Sequence, residues 1–482
     1  MSDFSLNFSD PSKNSYYIPI LVIICALLLI IELFLMIAKE YNRNANQDTN
    51  LSMDKILQNN MSYPSVIIFN KNKLRAKYLS AYLLARAAMW AKAPYIYTLF
   101  MTVHKFSFVE IGRLYLVDAV SALIFGPITG QLADKNGRKK YCKFYNISVL
   151  INIILRIHGN HFCAYLAQIV TGFGSGLINT TFEAWVVSES EREFMGYCKE
   201  AERFRKKLFI TANIYDEIIS ILILIICAIV YSYFGIYAPF LISFSFSLLS
   251  LLVVSLSWNE NELTISKKET IMEQIRGALG EFKKGEVLGI GLIEGIVFAC
   301  LNMFLFSWTP ILKQSTSGGM NPGFIFTSMV LMMIVGTKFC KLLIVYFYCD
   351  YFMSITGCLF FQGLFLFLTY YRDSFLERLI FLCLFDGLIG FYNPVNSVLK
   401  SNILAEKYRA LLMNLFRVPL NIYVIIVLLT IRYINSFTVA LISGIMCFIA
   451  FCIGLFLVIY DPIYQREKNE INYQNILPAD IV

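Results

Sequence analysis

The sequence predicts an all-α polytopic membrane protein in which twelve spanning helices form two pseudo-symmetric halves of six, with one extra helix ahead of them. Three observations carry this. Of 482 residues, 57% are hydrophobic and only 15% charged, where a soluble protein carries about a quarter charged. Thirteen apolar runs, most of them long enough to cross ~30 Å of hydrocarbon, recur along the chain. A charged stretch at 258–286 divides the last twelve evenly.

Taken in order, the first run, 17–38, stands apart. It is long for a signal peptide, has no basic leader and shows no small-residue cleavage site, so it reads as a retained helix following a short N-terminus (1–38 together). A polar, Asn-rich linker covers 39–77. The first half, 78–257, holds runs at 78–100, 111–133, 141–157, 162–187, 209–233 and 236–257. After the 258–286 linker, the second half, 287–460, holds runs at 287–308, 323–347, 350–371, 378–398, 409–433 and 437–460, and a tail of 461–482 follows. Two six-helix repeats of this kind place any internal site near the midplane between them.

Lysine and arginine set the orientation. With the 134–143 loop on the cytoplasmic side, thirty of the 41 cations fall on that side and seven opposite, among them Lys105, Arg156 and Arg378. Four, Arg86, Lys92, Arg113 and Arg417, lie deep in helices. A ratio of roughly four to one matches the positive-inside rule. It puts the N-terminus outside, where Asn7-Phe8-Ser9 is a glycosylation sequon, and the C-terminus in the cytoplasm. The formal net charge of +8 therefore belongs to cytoplasmic loops and an anionic membrane surface, not to nucleic acid.

Twelve cysteines lie mostly within apolar runs without a C-x-x-C pair, and the three histidines, His104, His158 and His161, fall between helices. No disulfide framework, metal site or phosphate loop is expected. No catalytic constellation is visible, so no enzyme activity and no cofactor are expected.

The segment Gly130-Gln131-Leu132-Ala133-Asp134-Lys135-Asn136-Gly137-Arg138-Lys139 combines an acid, a turn glycine and clustered cations between two apolar runs. It resembles, at every defining position, the loop motif between helices two and three of the major facilitator superfamily. Further strings resemble the molybdate-anion transporter branch, which carries an added N-terminal helix. They are Ala87 to Tyr97 around Trp90 and Pro94, Phe182-Glu183-Ala184-Trp185, Trp308-Thr309-Pro310, Gly390-Phe391-Tyr392-Asn393-Pro394 and Phe416-Arg417-Val418-Pro419-Leu420. The resemblance runs from about 78 to 433. It implies movement of a small oxyanion such as molybdate by a multi-pass protein, expected as a monomer in the plasma membrane. Another small solute (a sugar, another anion or a drug) and a non-transporting sensor or scaffold are the alternatives.

The chain departs from that family at several places. Met89 stands where an Asp is usual, Lys92 where a Gln is usual, and Arg86 replaces an apolar residue. Gln168 occupies the place of the helix-four Arg of many facilitators, and Glu294 lies one turn before its expected position, taken by Phe298. Helix one has thus exchanged an acid for two cations.

A charge in hydrocarbon costs ~3 kcal/mol on insertion scales, so it persists where it meets a partner or a wet cavity. Arg86 and Lys92 lie about 12 and 21 Å along their helix, some 120° apart around it. Both are expected to contact substrate, with Trp90 lining the cavity between them in depth. Arg417 is expected either to grip the anion in bidentate fashion or to form an ion pair with Asp386 or Glu183. Glu183 is expected as a packing group or a gate, and Asp386 as a proton carrier. Asp134 and Arg138 are expected to latch the two halves together in one state. Asp216 and Glu217 are expected at the interface. Asp118 has no evident partner.

Overall fold

A computed structural model describes residues 23–25, 28, 31, 32, 65–194, 198–260, 276, 277, 279–316, 320–346, 349–404 and 409–460. The side chains of a few helical residues, including Asp134 and Arg417, lie outside the described set. So do the Asn7 sequon, the 461–482 tail and most of the 39–77 and 258–286 linkers.

The first half comprises α1 (Ser65–Lys92), α2 (Phe108–Asn136), α3 (Arg138–His158), α4 (His161–Glu193), α5 (Cys198–Phe234) and α6 (Tyr237–Ser257). The second comprises α7 (Gly285–Gln314), α8 (Pro322–Lys341), α9 (Tyr351–Tyr371), α10 (Phe375–Ile403), α11 (Arg409–Leu429) and α12 (Ser436–Tyr460). There is no strand among the described residues. Among the described residues, seven helices are long and apolar enough on composition alone to cross a membrane: α4 to α9 and α12, α5 from Glu200. The remaining five include those bearing Arg86, Asp118, Arg156, Asp386 and Arg417, because a helix facing a polar interior gives up apolar residues.

Local sequence explains the boundaries. Ser107 and Glu110 form a reciprocal capping box at the start of α2. Asn160 and Asp350 cap α4 and α9 through their side-chain oxygens, and Asn321 caps α8 ahead of Pro322. Gly137 takes φ 101° between α2 and α3, and a Cβ there would collide with the Glu260 carboxylate. Two helices outrun their apolar segments. α1 begins at Ser65 and α5 at Cys198, so a charged turn or more of each extends beyond the apolar boundary.

The packing repeats after six helices. α2 packs on α4, α3 on α6, α1 on α6 and α1 on α5; correspondingly α8 packs on α10, α9 on α12, α7 on α12 and α7 on α11. The halves meet through α5 with α8 and α2 with α11, a pair of contacts that the same six-helix shift exchanges.

At the end opposite the 134–138 loop, called here the far end, this seam is closed. Asn321 of α8 donates to the Ala228 carbonyl (3.0 Å) and to Ser232 Oγ (2.9 Å) of α5. Phe306 of α7 meets Tyr97, Phe108 and Tyr115 of the first half, with centroids 5.1–6.0 Å apart. Gly323 lies so close to the Tyr95 hydroxyl and to Ala228 that a Cβ would not fit. The described part of the extra helix sits on the same seam nearer the loop end. Ile24 packs with Leu331 and Val335 of α8 and with Ile221 of α5, and Glu32 pairs with Lys338.

Candidate functional site

Helix one changes character at Lys92. α1 ends there, Pro94 lies in a 3₁₀ turn over Ala93–Tyr95, and a π turn covers Leu99–Val103. Proline removes a backbone donor and crowds the preceding turn, and π turns reshape a helix locally. The end of helix one lies against Arg156 of α3. His104 Nε2 lies 2.8 Å from the Arg156 carbonyl, and the Phe100 ring centroid is 5.8 Å from the Arg156 guanidinium.

Arg156 is 2% exposed. The positive-inside count placed it on the far side of the membrane; it is instead drawn into the interior beneath helix one. Its Nη2 donates to Gln168 Oε1 (2.9 Å) and to Thr171 Oγ1 (3.1 Å) on α4. Asn152 Nδ2 braces the same Thr171 hydroxyl at 2.7 Å. Nε and Nη1 of Arg156 are buried without a hydrogen-bond partner. Gln168 therefore holds a cation that helix three supplies in place of one on helix four. Asp118 and Tyr115 of α2 lie within electrostatic range of Arg156.

Lys92 makes no hydrogen bond or ion pair among the described residues, and the charge acting on it is Arg156. A buried guanidinium and a half-buried ammonium thus face each other, and among the described residues Asp118 is the acid that acts on Arg156. A buried donor without an acceptor costs ~1–3 kcal/mol, more when charged. Such an arrangement suits an anion that supplies the missing acceptors.

Arg86 belongs to a different cluster, as the 120° separation requires. It grips Asp216 of α5 through Nε–Oδ1 (2.9 Å) and Nη2–Oδ2 (2.6 Å). Trp90 Nε1 donates to the same Oδ1 at 3.1 Å, and the Arg86 guanidinium sits 5.5 Å from the Trp90 ring. Asp216, expected at the interface, is instead the internal counter-ion of Arg86. Trp90 also faces Phe326 of α8 at 6.5 Å, bridging the halves at mid-depth. Glu183 is left uncovered by neighbouring side chains yet lies within electrostatic range of Arg86, Tyr78 and Tyr82.

The motif loop is tied into its own half. Arg138 Nη1 donates to the Ala184 carbonyl of α4 (2.8 Å), and Lys139 Nζ donates to the carbonyls of Ser255 (3.1 Å) and Trp258 (2.5 Å). Trp185 and Trp258 stack at 3.7 Å beside it. The side chain of Asp134, the other member of the expected latch, is outside the described set.

In the second half, Asp386 is 7% exposed and has no charged partner among the described residues. Glu294 Oε1 accepts from Lys400 Nζ at 2.8 Å, so Lys400, counted on the cytoplasmic surface, in fact turns inward. Arg417 occupies the middle of α11, with its side chain outside the described set.

A family model described as sugar transporters with twelve transmembrane segments matches residues 62–373. The molybdate-anion transporter of Takifugu rubripes is 24% identical over 391 residues, covering 73% of this chain and 78% of that protein. The molybdate-anion transporter of Danio rerio is 23% identical over 418 residues, covering 77% and 81%. Among solved structures, the nucleoside transporter NupG in a mutant form superposes with a TM-score of 0.64 at 13% identity, over 79% of this chain and 99% of that one. An auto-inhibited peptide transporter of the POT family gives 0.64 at 10% identity, over 84% and 99%. At these identities the two structures speak for the fold.

Proposed function

Since the chain belongs to the major facilitator superfamily, in the family described as twelve-span sugar transporters, we propose that this integral, multi-pass membrane protein carries a small oxyanion, molybdate, by alternating access. The observation that carries the reading is Arg156, buried with two donors unmet beside Lys92, which lacks an acid partner among the described residues. The names of its molybdate-transporting relatives point to the same chemistry.

Lys92 and Arg156 bind the anion, while Gln168 and Thr171 fix the guanidinium so that little side-chain entropy is lost on binding. The Asp118 carboxylate competes with the anion for Arg156. A proton on Asp118 removes that competitor, which couples anion binding to proton binding. Arg86, already neutralised by Asp216, positions Trp90 at the seam. Arg417 and Asp386 extend the site into the second half. Arg138 and Asp134 bias the loop end between states. The positive-inside ratio supports an N-terminus outside and a C-terminus in the cytoplasm, and the reading places the protein in the plasma membrane.

The test is uptake of labelled molybdate into proteoliposomes. Saturable uptake that sulfate or another oxyanion competes and glucose does not supports the reading. The description of the matched family favours one rival, a sugar substrate, and competition by glucose with none by oxyanions would establish it instead.

A further inference from the structure

The extensions of α1 and α5 beyond the apolar boundary run side by side at the loop end. Tyr78 and Phe209 pack edge to face at 6.3 Å, and Lys71 Nζ lies 6.0 Å from the centre of the Phe204 ring. Between them is a cavity of about 140 Å³ lined by Lys71, Asn72, Arg75, Phe204, Lys207 and Thr211, with Leu208 at its base. The charged groups of Lys71, Arg75 and Lys207 form no hydrogen bond or ion pair among the described residues, while the Lys207 carbonyl accepts from Thr211 Oγ1 at 2.8 Å. Residues 65–92 contain no acid; on α5 Glu202 is taken by Lys206 at 2.9 Å, about 140° around the helix from Lys207, while Glu200, two turns before Lys207 on its face of the helix, forms no ion pair with the three cations.

The same face of α5 continues from polar to apolar. Lys207, Thr211, Ile214 and Ile218 follow at helical spacings of three and four, and Ile210, Ile214 and Ile218 are 49–50% exposed. In a membrane protein, exposed isoleucines in line mark the acyl-chain level, and cations one turn beyond mark the headgroup level. We propose that this cavity is a binding site for an anionic phospholipid. Its phosphate sits among Lys71, Arg75 and Lys207, and its acyl chains lie along Ile210, Ile214 and Ile218. Soluble phosphate shares the headgroup chemistry but gains nothing from the isoleucine stripe.

The test is thermal stabilisation of the detergent-purified full chain by short-chain phosphatidic acid, by phosphatidylcholine with the same tails, and by inorganic phosphate. The wild type is expected to respond to phosphatidic acid alone. The Lys71→Ala/Arg75→Ala/Lys207→Ala variant is expected to need roughly a hundredfold more lipid, taking three cations at the usual strength near a surface. A charge-matched control, Lys206→Ala/Lys283→Ala/Lys284→Ala, is expected to match the wild type. If the triple pocket variant does not fold, Lys207→Glu alone is expected to abolish the response. Equal responses in pocket variant and control overturn the site, and stabilisation by phosphate as large as by lipid overturns the lipid.

Discussion

Arg156 and Gln168 form one unit across α3 and α4: Nη2 donates to Oε1 at 2.9 Å, leaving the rest of the guanidinium buried and unmet. The cation lies on one helix and its support on the next. Exchanging the two, as Arg156→Gln/Gln168→Arg, keeps one charge and one amide in the same space. Arg156→Gln alone is expected to lower kcat/KM for molybdate at least a hundredfold, the loss of ~3 kcal/mol for a desolvated charged hydrogen bond. The double exchange is expected to recover about tenfold of that. Transport kinetics on the four members of the cycle measure the coupling directly.

Asp118 supplies the pH response. In the proposed coupling, acid pH protonates Asp118 and releases Arg156 to the anion, so uptake rises as pH falls. Asp118→Asn is expected to flatten that dependence while keeping uptake at its acidic level. Asp386→Asn is expected to keep the slope. Initial uptake rates across a pH series, with internal pH held fixed, distinguish the two carboxylates.

In the proposed mechanism the Arg86–Asp216 pair holds Trp90 in place and does not bind the anion. Asp216→Asn leaves the guanidinium without its counter-charge and is expected to cost about 1–3 kcal/mol of stability, read as a lowered melting midpoint in detergent. Arg86→Met/Asp216→Leu is expected to regain most of it, because an apolar pair of similar size removes both charges from low dielectric.

Much of the architecture was legible from apolar run lengths and the even split around 258–286, because hydrocarbon thickness and backbone satisfaction leave few choices. The separation of Arg86 from Lys92 was legible as well, since helical periodicity alone sends them to different neighbours. Arg156 was not. Two residues from the end of α3, it looks like any cation snorkelling to a membrane surface, and Phe100 and His104 of helix one with Gln168 and Thr171 of α4 enclose it. Lys400 escaped notice for the same reason, its partner Glu294 lying 106 positions away. Asp216 was read as interfacial because α5 extends further beyond the apolar segment than composition indicates.

The far-end seam must open if the halves alternate. Asn321 and Ser232 lie in hydrogen-bond contact across it, so the Asn321→Cys/Ser232→Cys variant is expected to form a cross-link under mild oxidation. Transport is expected to fall to background when cross-linked and to return on reduction, with both single variants unaffected by oxidant.

The most direct test of the central claim is molybdate uptake by proteoliposomes containing Lys92→Ala or Arg156→Ala, alongside Arg86→Met/Asp216→Leu. Loss of uptake in the first two, with the third retaining it, is the predicted result. Wild-type uptake by Lys92→Ala and Arg156→Ala would contradict the assignment of these two cations to the anion.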